Sequence, residues 1–111
     1  MQDTHRVYVD GSAEIYDSIM CLTSISTNNN KFAVIQVLQR KESTEPDLLF
    51  VFTRWGRVGE FGASQTAGPM PLNDAILEFK TFFKSKTGIN FENRRSTSPL
   101  KEKYMWIDVE Y

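Results

Sequence analysis

Only one stretch of this chain reads clearly as a helix, and it limits what the rest can be. Ala75, Ile76, Phe79, Phe82 and Phe83 fall at i, i+1, i+4, i+7 and i+8, which gathers them into a single apolar stripe. Asn73 and Asp74 stand at the start of the run, Lys84 and Lys86 near its end, and Gly88 just beyond, the polarity expected of helix caps and the helix dipole. Such a stripe must be covered, and the rest of the chain offers β-prone segments to cover it. Truncating any of the three phenylalanines to Ala is expected to cost about 3 to 5 kcal/mol.

Residues 7–9 read as a short strand, followed by a turn at Asp10-Gly11. Residues 15–22 read as a strand, although Ile15, Ile19 and Met20 also fit a helical period. Thr27-Asn28-Asn29-Asn30-Lys31 is a turn, because asparagine bonds to its own backbone and tolerates left-handed angles. Residues 32–38 are apolar on both faces, with Phe32, Val34, Gln36 and Leu38 against Ala33, Ile35 and Val37, as in a central strand. Residues 39–47 are charged, contain Pro46 and are expected to form an exposed loop. Residues 48–55 form the next strand, paired antiparallel with the previous one, and 58–66 another extended segment broken by glycines. Residues 67–71 read as loop, since Pro69 and Pro71 cannot donate to a ladder. Ile89 and Phe91 continue the core, residues 93–103 form a basic loop, and residues 104–111 alternate as a final strand. The expected fold is α+β: an antiparallel sheet of about five strands with one long helix packed on one face. Residues 1–6 are expected to be a loose N-terminus and 7–111 one domain.

Composition narrows the function. The formal net charge of −1 argues against a strongly basic, sequence-independent nucleic-acid binder. Its distribution softens that, since residues 79–103 hold seven bases against Glu92 and Glu102. They could build a positive face or merely a solvated one. One cysteine, Cys21, excludes an internal disulfide framework and reads as a small strand residue. No apolar run approaches the ~20 residues of a membrane helix, and no membrane partner is expected. One histidine, His5, and no His/Cys cluster give no zinc site. Phosphate-loop and serine-elbow motifs are missing, and the carboxylates are scattered. Neither catalysis nor a cofactor is expected.

The stretch that carries chemistry is Arg54-Trp55-Gly56-Arg57-Val58-Gly59-Glu60-Phe61-Gly62, at the end of an apolar strand. Glycine permits a sharp turn and close backbone approach. The turn could present a flat aromatic face with a guanidinium on either side, which suits phosphate and sugar contact. For an arbitrary Trp-Gly-Arg, a buried tryptophan beside solvated arginines is the commoner outcome.

Five motifs in order resemble one family. They are Asn28-Asn29-Asn30-Lys31-Phe32, Ile35-Gln36-Val37-Leu38, the Arg54 to Gly62 run, Phe82-Phe83-Lys84-Ser85-Lys86-Thr87, and Lys103-Tyr104. Together they resemble the WGR domain of the DNA-dependent poly(ADP-ribose) polymerases, over residues 7–111. The resemblance implies a sheet with a long helix, a nuclear location, and a module that binds DNA break ends without reading base sequence. Binding would be relayed to a helical regulatory subdomain and an ADP-ribosyltransferase. The resemblance places Trp55 on sugar and base at the end. It places Arg57 at the 5′-phosphate or a neighbouring domain, and Asn30 and Tyr104 at the same phosphate. Lys31 is grouped with these DNA-binding residues, and Arg54 with Arg57 as a partner or interdomain contact. Departures from the family pattern are Leu22-Thr23-Ser24-Ile25-Ser26, in place of a Leu-Asn-Gln-Thr-Asn-like segment, and Phe91, where tryptophan is common. The alternative is a module of the same fold that docks a protein and binds DNA weakly or not at all.

Overall fold

The computed structural model describes residues 5–11, 14–23, 30–40, 48–100 and 103–108. Six antiparallel strands form one sheet: β1 (His5–Val7), β2 (Asp17–Leu22), β3 (Lys31–Arg40), β4 (Leu48–Arg57), β5 (Ala63–Pro71) and β6 (Met105–Asp108). The order across the sheet is β5-β4-β3-β2-β6, and β1 also pairs with β3. β3 is thus central, as its two apolar faces require. β4 runs along one side of it from Gln39↔Leu49 to Lys31↔Arg57, while β2 and β1 share the other side end to end.

One helix, α1 (Leu72–Thr87), packs across one face. Alternation along the strands decides which residues it meets. Ala33, Ile35 and Val37 of β3, Leu49 and Val51 of β4 and Met20 of β2 are buried beneath Ala75, Phe79 and Phe83. Phe91 locks the helix from the side, with its ring centroid 4.8 Å from that of Phe79 and 5.2 Å from that of Phe83, both edge-on. Tyr16 and Trp106 extend this aromatic cluster to β2 and β6. Phe82 lies only partly buried at the margin of the core.

Four local differences from the sequence reading have physical causes. The loop expected at 39–47 starts later, because Gln39 and Arg40 still pair with β1; residues 41–47 lie outside the described residues. The N-terminus is not loose throughout, since His5 and Arg6 pair with Arg40 and Gln39. Residues 67–71 are strand rather than loop. β5 is an edge, where a proline's missing N–H can face solvent, and a bulge between Leu49 and Val51 absorbs the irregularity. The helix starts at Leu72 with Pro71 at its N-cap, so Asn73 and Asp74 lie in the first turn instead of capping it. Its end matches expectation: Gly88 adopts a left-handed φ of 74° and donates its N–H to the Lys84 carbonyl at 2.7 Å.

The basic loop is also more structured than its composition implies. Arg94 is buried, its guanidinium carbon lying 3.8 Å from the centre of the Phe91 ring. Nη1 donates to the Phe91 carbonyl at 3.0 Å, and Nη2 pairs with Glu14. Arg95 also reaches Glu14, at 3.5 Å, and Lys80 pairs with Glu92 at 2.6 Å. Three cations from the basic C-terminal third are therefore tied to carboxylates.

Asp10, Glu14 and Tyr16 are tied together by their own hydrogen bonds. Asp10 accepts hydrogen bonds from the Glu14 N–H at 2.9 Å and the Tyr16 hydroxyl at 3.1 Å. Burial, then the Asp10 carboxylate, pushes the Tyr16 phenol from its ordinary 10.0 up to about 12. A group whose folded pKa is raised stabilises fully below its unfolded value and loses that contribution as pH rises through the folded one. Urea midpoints measured upward from pH 10.0 to about 12 should therefore fall more steeply for the wild type than for Tyr16→Phe. Phe79→Ala should lower unfolding free energy by about 3 to 5 kcal/mol, and the half-buried Phe82→Ala by less, in the same denaturation assay.

Candidate functional site

Period-two alternation separates the two arginines around Trp55. Trp55 and Arg57 lie on the helix side of β4, in register with Ala33 and Lys31 of β3. Arg54, one residue away from Trp55, lies on the opposite face. Its Nε donates to the Phe61 carbonyl at 2.9 Å, and its guanidinium carbon stands 5.2 Å from the centre of the Phe32 ring. The expected aromatic plate with a guanidinium on each side is therefore not formed. Arg54 staples the β4–β5 turn, and Arg57 alone shares the tryptophan's face.

That turn is built on glycine. Gly62 has a φ of 73°, and a Cβ there would run into the Trp55 carbonyl oxygen. A Cβ on Gly56 would approach the Gly62 Cα to 2.7 Å. The two backbones touch, and only glycine at both positions lets the strand reverse so soon after Trp55. The Val58 N–H donates to the Asn30 carbonyl at 3.0 Å and the Glu60 N–H to the Arg57 carbonyl at 3.1 Å. The hairpin is thereby fixed against the mouth of β3.

The indole is not sealed in the sheet; it is 37% exposed. It lines an open cavity of about 350 Å³ together with Lys31, Arg57, Glu60, Lys86 and Tyr104. Four of the residues singled out in the sequence thus converge: Lys31, Trp55, Arg57 and Tyr104. Asn30 sits at the adjacent strand end, exposed, and engages the turn through its backbone carbonyl. It does not line the cavity, and residues 27–29 of the asparagine run lie outside the described residues.

Lys86 was not singled out as a site residue. Its ammonium stands 5.4 Å from the centre of the Tyr104 ring and 5.5 Å from that of Phe82, held between two aromatic faces. The signal was present in the spacing: Glu78, Phe82 and Lys86 recur every four residues, on one helix face. The Tyr104 N–H donates to the Lys86 carbonyl at 3.0 Å, so the phenol is carried by the helix end. Burial raises the Tyr104 pKa above its ordinary value, which keeps the phenol a neutral hydrogen-bond donor.

Three cations face one carboxylate, Glu60, around this cavity. Lys31 and Arg57 are direct cross-strand partners, an arrangement of like charges that disfavours the sheet unless an anion lies between them. A guanidinium fork, two ammoniums, a phenol and a flat indole are the donor set that a phosphate joined to a sugar would use. Among the described residues, no group of three or more His, Cys, Asp or Glu could hold a metal ion. No helix of the described residues is long and apolar enough to cross a membrane.

Comparison with known proteins agrees with this geometry at the level of family. The WGR domain model matches residues 16–98, and the chain belongs to that family. It is 40% identical over 99 residues to poly [ADP-ribose] polymerase 2 of Zea mays, covering 88% of this chain and 15% of that protein. The mouse protein mono-ADP-ribosyltransferase PARP3 is 39% identical over 97 residues, covering 87% of this chain and 17% of the relative. Human poly [ADP-ribose] polymerase 2 is 34% identical over 107 residues, covering 96% and 18%. The chain therefore spans less than a fifth of the length of these relatives, and what it matches in each is a short segment containing the WGR domain.

Gly62→Ala should unseat the hairpin that presents Trp55. The expected cost is more than about 1 kcal/mol in urea unfolding, because left-handed backbone and steric conflict add.

Proposed function

We propose that this domain binds DNA break ends, holding the 5′-phosphate region without reading base sequence. Arg57, Lys31 and Lys86 supply charge to the phosphate, Tyr104 donates a hydrogen bond, and Trp55 covers the terminal sugar and base. Asn30 closes the edge of the site. The observation that carries this reading is the convergence of Lys31, Trp55, Arg57, Lys86 and Tyr104 on one cavity from four separate parts of the chain. The module does no chemistry itself. It passes the bound state to a helical regulatory domain and an ADP-ribosyltransferase, in cis or in trans, in the nucleus. Its relatives' names, poly [ADP-ribose] polymerase and mono-ADP-ribosyltransferase, support that link. Arg57 can serve the neighbouring domain as well as the phosphate, whereas Arg54 reaches a partner only on the far face of the sheet.

A protein-docking use of the same fold is the competing reading. The net charge of −1 and the exposed Val58 and Phe61 on the β4–β5 turn favour it.

Anisotropy titration of blunt duplexes with and without a 5′-phosphate separates the two. The wild type should bind the phosphorylated end more tightly, with affinity falling as salt rises. Arg57→Ala should lose about tenfold or more, as for a charge-assisted contact worth about 1.5 to 3 kcal/mol. End affinity unchanged in Arg57→Ala, or absent in the wild type at physiological salt, would favour docking of a protein.

A further inference from the structure

The cationic cavity does not stop at the indole. A second groove of about 250 Å³ lies between α1 and strands β4 and β5, bounded by Thr53, Trp55, Gln65, Glu78, Phe82 and Lys86. Trp55 and Lys86 line both spaces, so the two form one trough with the tryptophan at its waist. The ends of the trough differ in chemistry. One is cationic; the other is walled by an indole and a phenyl ring and edged by a carboxamide, a hydroxyl and a carboxylate. Thr53 Oγ1 donates to the Gln65 backbone carbonyl at 3.4 Å, and Gln65 is an exposed residue. Glu78 is exposed and lies two helical turns before Lys86 on the same stripe.

Glu78 is the anomaly. A carboxylate bordering a phosphate site weakens attraction for the backbone and needs a compensating use. Carboxylates accept from the exocyclic amino groups of bases, and carboxamides both donate and accept there. Unstacked bases lie on aromatic side chains while their edges are read in this way. We propose that the groove takes the unpaired nucleobase of a 5′-phosphorylated end. The base stacks on Trp55, and Glu78 and Gln65 read its amino edge while the phosphate occupies the cationic cavity. This rests on the end-binding reading above, in which the paired bases of the duplex go unread, and departs from it only at the unpaired terminal base: a frayed or single unpaired 5′ nucleotide is preferred over a fully paired end, and an amino-bearing base such as cytosine over thymine.

The test compares 5′-phosphorylated duplexes that are blunt, or that carry one unpaired 5′ cytosine or thymine. Stacking one base on an aromatic ring should make the cytosine-ended duplex bind about fivefold or more tighter than the blunt one. Glu78→Gln should erase the cytosine-over-thymine ratio while 5′-phosphate dependence on blunt ends persists. Reading a ratio cancels the general gain from removing a negative charge. In ¹H–¹⁵N spectra, 5′-CMP should shift the Gln65 side-chain amide and the Trp55 indole resonance. Equal affinities for all three duplexes, with phosphate dependence intact, would overturn the groove assignment and leave end binding standing. Loss of phosphate dependence altogether would remove both. Displacement of nothing by 5′-CMP, but saturation of the groove by a lysine-bearing peptide, would assign it to a protein partner and overturn the proposal.

Discussion

Phe79 and Phe83 descend from α1 onto Ala33, Ile35 and Val37, and the geometry of that seat decides where everything else falls. Ala33 is fully buried in that core and stands beside Trp55 in the ladder. The last turn of the helix therefore arrives next to the end of β4, and Lys86 arrives next to the indole. Phe91 wedges against both phenylalanines edge-on, and Arg94 caps Phe91 while pairing with Glu14. A buried cation of this kind is retained only with a close partner, since an uncompensated charge there would be costly. The lock joins the segment after the helix to the turn before β2, so the helix cannot slide along the sheet without breaking it.

On this frame the site is assembled from backbone ends. β3 begins at Lys31, β4 ends at Arg57, α1 ends at Thr87, and Tyr104 precedes β6. Strand ends and helix ends have side chains less committed to packing than strand middles, which is why function collects there. The glycine-built turn adds rigidity, so the indole is held in place before any ligand comes. A pre-organised aromatic surface loses little conformational freedom on binding.

Much of the fold was legible in the sequence because its signals are periodic. The helical stripe, the two-faced apolar β3 and the C-terminal glycine cap each state a local geometry that the tertiary structure keeps. What was hidden depended on partners far along the chain. Residues 67–71 looked like loop because proline is a ladder-breaker, yet an edge with a bulge accepts it. Arg94 looked like one more solvated base, because nothing near it in sequence announces Glu14. The alternation at 104–111 does not say which face of the last strand is inward: Met105 and Ile107 are exposed, and Trp106 turns to Phe83. In the site, alternation alone separates Arg54 from Arg57, whereas spacing gives the helix face of Lys86 but its place beside Trp55 follows only from the docked helix.

The hydrogen bond from the Tyr104 N–H to the Lys86 carbonyl couples two cavity-lining groups to one helical turn. Helix ends open more readily than sheet interiors, often without global unfolding. Here the last turn is held by the buried Phe83 and Thr87, so the ammonium and the phenol stay or move together with that part of the core. The shape of the cavity is thus tied to the state of one helical turn. A neighbour that merely braces the helix terminus would steady both groups at once.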